Sequence, residues 1–98
     1  MSTLKPLTGR ERAGFSKKHP EWKLTKKETE IQRTFLFDDY IAGLVFMARI
    51  SVHAEVLGHH PDMTLSYGKV KVVLSTHDIK ALSKKDVQLA GKIDNLYT

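Results

Sequence analysis

The spacing of apolar residues divides this chain into strands and helices in the order β-β-α-β-β-α, preceded by one short helix. Thr8 and Glu11 have the spacing of a capping box and open a helix to about Lys18, which Pro20 ends. Trp22-Lys23-Leu24 and residues 31–37 have the apolar and aromatic character of two strands, joined by the polar stretch 25–30. Asp38 and Asp39 then offer an N-cap and first-turn acids to the strongest periodic segment, a helix ending near Leu57. On it Ile41, Leu44, Val45, Ala48 and Val52 recur at helical spacing and form the expected core stripe. Phe46, Ile50, His53 and Leu57 make a second stripe on roughly the opposite side. Gly58 suits the left-handed residue that closes a helix.

Residues 63–67 and 70–76 read as a hairpin with Gly68-Lys69 in the turn, glycine first as in a II′ geometry. In its second strand Val70, Val72 and Leu74 share one face; Lys71, Val73, Ser75 and His77 share the other. Ser83 caps a last helix whose Val87, Leu89, Ala90 and Ile93 turn inward. The element order implies an α+β sandwich, a four-stranded antiparallel sheet with helices packed on one face. The 98 residues suit a single domain, with residues 1–7 as a frayed end. So small a core gains from association, and the helix over 38–57, apolar on two sides, is the expected contact for a homodimer or homotetramer.

Composition narrows the function classes. No cysteine is present, which removes disulfides, thiol catalysis and cysteine-ligated metal sites. No apolar run approaches twenty residues and no secretory pattern opens the chain, so a membrane span is not expected and a cytoplasmic setting is. The net charge of +5 is scattered in small groups such as Lys17/Lys18, Lys26/Lys27 and Lys84/Lys85. Aromatics are not interleaved with them as a base-stacking surface requires, which disfavours nucleic acid as partner.

The candidate chemistry is histidine chemistry. His59-His60 precedes Pro61, and His77 ends a strand-like run between Thr76 and Asp78. An imidazole near neutrality can accept or donate a proton, so convergent histidines suggest acid–base catalysis. Pro61 pushes His60 out of the helical region, and two extended neighbours would point their rings to opposite sides. Glu55, beside the expected core stripe, would orient His59 or bind a polar ligand. Thr76 and Asp78 are placed to hold the His77 tautomer. Asp86, three residues after Ser83, fits a capping box first and a catalytic role second. Glu55, His59 and His77 could also make a two-histidine, one-carboxylate metal site. Thiol-dependent deaminase, zincin, nucleophile-elbow and phosphate-loop signatures are all missing.

The series Glu55-x3-His59-His60-Pro61-x5-Tyr67-x9-His77-x8-Asp86 closely resembles the signature of the pterin-4a-carbinolamine dehydratases, and the resemblance runs from about Trp22 to Asp94. It implies dehydration of 4a-hydroxytetrahydropterin to the quinonoid dihydropterin, without metal or cofactor, in recycling the pterin of aromatic amino acid hydroxylases. His59 and His77 would move protons on either side of the leaving group, and His60 would bind substrate and act as a secondary acid–base group. Glu55, Trp22, Pro61, Thr76, Asp78 and Asp86 complete the expected substrate-binding set, Trp22 either covering the pterin or simply packing in the core. Gly58, Met63 and Lys85 stand where some members have an acid, an aromatic and an arginine. Relatives that lost the histidines serve as assembly factors, and one member is a transcription-factor dimerisation cofactor, so a non-catalytic interaction module is the alternative.

Overall fold

A computed structural model of the chain describes residues 4–97. Helix α1 (Gly9–Lys18) precedes strands β1 (Lys23–Thr25) and β2 (Glu30–Leu36), helix α2 (Tyr40–Leu57), strands β3 (Asp62–Ser66) and β4 (Lys69–Leu74), and helix α3 (Lys84–Leu96). A short 3₁₀ turn, His77–Ile79, lies between β4 and α3. All pairings are antiparallel and the sheet order is β1-β2-β4-β3. The expected α+β architecture is the one observed. Ile31 and Phe35 of β2 and Val70, Val72 and Leu74 of β4 point to the helix side. Thr34, Leu36, Lys69, Lys71 and Thr64 occupy the open face.

The core corrects the expectation for α2. Its buried residues are Gly43, Phe46, Ile50 and Ala54, whereas Ile41, Leu44, Val45 and Val52 are exposed, as is Val56 at 85 %. Both stripes exist, but their roles are exchanged. The physical reason lies in what the sheet offers. Phe46 packs against Phe35, Phe37 and Tyr97, with ring centroids 4.9, 5.0 and 5.8 Å away. Such ring pairs add to the gain from burial. Gly43 lets the helix come close: a Cβ there would stand 2.9 Å from Leu65 Cδ1 and 3.1 Å from Val70 Cγ2. By length and composition alone the 18 residues of α2 would reach across a membrane. The sequence-based expectation of no span, made on run length, is thus not supported by length and composition; in the fold one side of the helix packs on the sheet and the other is exposed.

The helix ends follow the expected chemistry, except that α2 has Asp39 as its N-cap and no acid in its first turn. Thr8 and Glu11 form the capping box of α1, Asp39 Oδ1 accepts from Ala42 N at 2.7 Å to open α2, and Ser83 with Asp86 caps α3. At the other end of α2, Gly58 has φ +67°. Gly58 N donates to Glu55 O at 3.2 Å, and His59 N donates to Ala54 O at 3.0 Å. This is the paired bonding of a Schellman closure, and it sets the direction in which His59 and His60 leave the helix.

Three smaller expectations change. The hairpin turn is Tyr67-Gly68 with Ser66 opposite Lys69, and Gly68 has φ +77°. Glycine thus takes the second position, not the first, and the II′ geometry is not formed. Gly68 also lies under Phe37, whose N–H donates to its carbonyl at 2.8 Å. Leu7 is buried and donates its N–H to Leu82 O at 2.8 Å, so the expected frayed end does not extend that far; residues 1–3 lie outside the described residues. β4 stops at Leu74, so Ser75 and His77 are not alternate members of a strand face. Ser75 is buried and donates to Thr29 O at 2.9 Å.

Candidate active site

The carboxyl end of α2, the start of β3, the end of β4 with its 3₁₀ turn, and the amino end of α3 meet at one end of the sheet. His59, His60, His77 and Asp86 all belong to these segments. β3 and β4 pair with Asp62 opposite Val73, which brings the residues after Pro61 alongside the end of β4.

His59 is buried, with 9 % exposure, and its Nε2 lies 2.5 Å from Asp86 Oδ1. Asp86 is 0 % exposed. A carboxylate so enclosed is tolerable only when its oxygens are supplied with donors, and they are. Oδ2 accepts from Ser83 N at 2.9 Å and from the Thr76 hydroxyl at 2.7 Å. The Thr76 and Ser83 hydroxyls are themselves 2.7 Å apart. Asp86 therefore caps α3, as its spacing implies, and also grips His59, a contact that spacing alone does not reveal.

His60 turns the other way. Its ring is exposed and its Nε2 forms a short contact with Glu55 Oε2. The neighbouring imidazoles leave the chain on opposite sides, as Pro61 implies. Glu55 differs from expectation: it serves His60 rather than His59, and its side chain is exposed because the true core stripe runs along another side of α2. His77 is also exposed, at 72 %, and its Nε2 lies 3.9 Å from Asp62 Oδ2. Exposed pairs of this kind contribute about 0–1 kcal/mol. The nearby acid is thus Asp62, which sequence reasoning missed, and not Asp78, which is exposed in the 3₁₀ turn. The Thr76 hydroxyl does not face His77 either; it is committed to Asp86 and Ser83.

Among the described residues no hydrogen bond or ion pair joins one of the three histidine rings to another; what links their segments is the network behind His59. His59 reaches Thr76 through Asp86, Thr76 adjoins His77 in sequence, and His77 faces Asp62, which follows Pro61 and His60. Glu55 and His59 turn to different partners, so the fold does not build the two-histidine, one-carboxylate arrangement considered from sequence. Trp22 is corrected to a packing role. It is 2 % exposed, meets Phe35 edge-on at 6.0 Å, and donates its indole N–H to Asp94 Oδ1 at 2.9 Å, leaving almost no surface for a ligand. Asp94 also pairs with Arg33 Nη1 at 2.7 Å and lies 3.2 Å from His19 Nδ1. Arg33 sits at an inward position of β2 between Ile31 and Phe35, a lone cation on an apolar strand face, and that was the readable signal for a carboxylate partner.

The scaffold is a small α+β domain with three histidines and a buried carboxylate on segments that meet at one end of the sheet, and comparison with known proteins narrows its class. The sequence profile of the pterin 4 alpha carbinolamine dehydratase family matches residues 5–96, and the chain belongs to that family. A relative from Rhodospirillum rubrum with the provisional name pterin-4-alpha-carbinolamine dehydratase is 44 % identical over 78 residues, covering 80 % of this chain and 81 % of the relative. One of the same provisional name from Rhizorhabdus wittichii is 36 % identical over 94 residues, 96 % of this chain and 97 % of its own. Among solved structures, a transcriptional coactivator/pterin dehydratase from Brucella melitensis superposes with a TM-score of 0.90 at 29 % identity, covering 96 % of this chain and 100 % of that one. A pterin dehydratase-like protein identified as a RuBisCO assembly factor in the alpha-carboxysome shares the fold at a TM-score of 0.68 and 20 % identity, covering 81 % of this chain and 92 % of that one.

Proposed function

We propose that this protein dehydrates 4a-hydroxytetrahydropterin to the quinonoid dihydropterin. What supports the reading is that the segments bearing His59, His60 and His77 meet at one end of the sheet, with His59 held by a buried Asp86. In the reaction the C4a–O bond breaks, the leaving hydroxide takes a proton and departs as water, N5 gives up its proton, and the C4a–N5 double bond forms. The step needs one acid and one base, and no electron acceptor or covalent intermediate. A placed acid–base group contributes roughly 10²–10⁴ in rate, or about 3–5 kcal/mol of barrier. His59 and His77 take these two roles. His60, supported by Glu55, binds substrate at the rim, and Asp62 joins the site through His77. Thr76 and Asp86 act from behind His59, and Pro61 fixes the His59-His60 geometry. The proposed setting is a cytoplasmic pterin-recycling step that serves aromatic amino acid hydroxylation.

The proposed assembly is a homodimer or homotetramer joined through α2. Its exposed Ile41, Leu44, Val45, Val52 and Val56 form an apolar face longer than a monomer ordinarily leaves in water. The same face favours the second reading, a non-catalytic module that assembles or stabilises a partner; one solved structure of this fold is named an assembly factor. Rapid mixing of the purified protein with freshly generated 4a-carbinolamine separates the two. Accelerated loss of the carbinolamine absorbance supports the dehydratase. A partner-binding protein that leaves the spontaneous rate unchanged supports the module.

A further inference from the structure

The proton arrangement behind His59 has a direction. The Thr76 hydroxyl has a single hydrogen, and the 2.7 Å contact aims it at Asp86 Oδ2. The 2.7 Å contact between the two hydroxyls must then be donated by Ser83. Ser83 Oγ in turn accepts from Lys85 N at 3.3 Å. Hydrogens therefore run from the α3 backbone to Ser83, to Thr76 and into Asp86. With the Ser83 N–H arriving as well at 2.9 Å, Oδ2 receives two donors at the amino end of a helix, where the macrodipole also favours an anion. A carboxylate loaded in this way is an acceptor at its other oxygen. Its partner there, His59 Nε2, must supply a hydrogen.

We propose that the Thr76–Ser83 hydroxyl pair, acting through Asp86, locks His59 as its Nε2–H tautomer and so makes it the base of the reaction. The neutral ring then carries its lone pair on Nδ1. Among the described residues no protein group bonds Nδ1, and the atom keeps a small accessible surface although the residue is only 9 % exposed. That is the atom that takes the N5 proton, while the acid role at the leaving oxygen falls to His77, which is open to solvent and faces Asp62. Thr76 is a positioning residue here, not a catalytic one. The catalytic assignment of His59 rests on the dehydratase reading; the tautomer does not.

The test combines long-range ¹⁵N–¹H correlation spectra of the full-length protein, labelled at histidine, with kinetics. The wild-type spectrum should show His59 protonated at Nε2 and bare at Nδ1, and an Nδ1–H tautomer there overturns the proposal whatever any variant does. Thr76→Val keeps the shape and removes the hydroxyl. It should mix the His59 tautomers and lower kcat about tenfold, part of the roughly 10²–10⁴ of an acid–base group, with KM changed less than about twofold. Thr76→Ser should restore both. An unchanged tautomer and kcat in folded Thr76→Val also overturn it. If the wild type shows the Nε2–H form, and Thr76→Val shifts it, while pterin turnover is absent throughout, the hydroxyl lock stands and the dehydratase reading falls.

Discussion

Asp86 couples stability to chemistry within one side chain: the oxygen that caps α3 leaves the other free to grip His59. Asp86→Ala removes the N3 half of the capping box, worth about 1 kcal/mol, and leaves the Thr76 hydroxyl and the His59 N–H without their partner, at about 1–3 kcal/mol more. The expected result is a fall of about 2–4 kcal/mol in urea unfolding together with a loss of turnover. Loss of turnover with unchanged stability would contradict the double role. Asp94 offers a comparison away from His59, His60 and His77. It receives Trp22, Arg33 and His19 together. Asp94→Ala strands the Arg33 cation in a half-buried position, and we expect a loss of about 2–3 kcal/mol with kcat nearly unchanged in the folded fraction. At this scale the sequence displayed His59, His60 and His77 and the capping acid Asp86, because spacing records local geometry. It hid the pairings of His59 with Asp86 and of Glu55 with His60. Those depend on which way α2 is rolled on the sheet.

Elements were legible to within a residue or two wherever a side chain closes its own backbone. Thr8, Asp39, Ser83 and Gly58 each fix an end, and each does so in the structure. Rotation of α2 was not legible, because periodicity yields two apolar stripes of similar strength and cannot say which one meets Phe35 and Val70. The deciding features are Gly43, which admits Leu65, and Phe46, which fills the space among the rings. Two predictions belong here. Gly58→Ala places a Cβ on a left-handed residue; we expect a loss of about 1 kcal/mol in thermal or urea unfolding and a drop in kcat, since His59 leaves from that closure. In α1, the backbone hydrogen bond from Thr8 holds the Glu11 carboxyl below its ordinary value. A group lowered on folding adds stability that is present above its unfolded value and lost as pH falls through the folded one. Glu11→Gln should therefore lower stability near neutral pH, and the deficit should shrink as the medium becomes acid. A deficit that grows on acidification would contradict the cap.

On the scale of the whole molecule, the helices cover one side of the sheet and leave α2 with an outward apolar row that no described residue covers. Length and composition had already pointed to association through residues 38–57, and the exchange of stripes alters only which residues would meet. Val45→Glu with Val52→Glu should convert an oligomer into a folded monomer in multi-angle light scattering, with far-ultraviolet circular dichroism preserved. A wild-type monomer at micromolar concentration would remove the proposed assembly.

Action of the histidines on one small molecule is what the proposed function requires, and stopped-flow decay of the 4a-carbinolamine absorbance reads it directly. The wild type should accelerate the decay well above the spontaneous rate, and His59→Ala combined with His77→Ala, shown to be folded, should lose nearly all of that acceleration. A double variant that keeps the full rate would contradict the account.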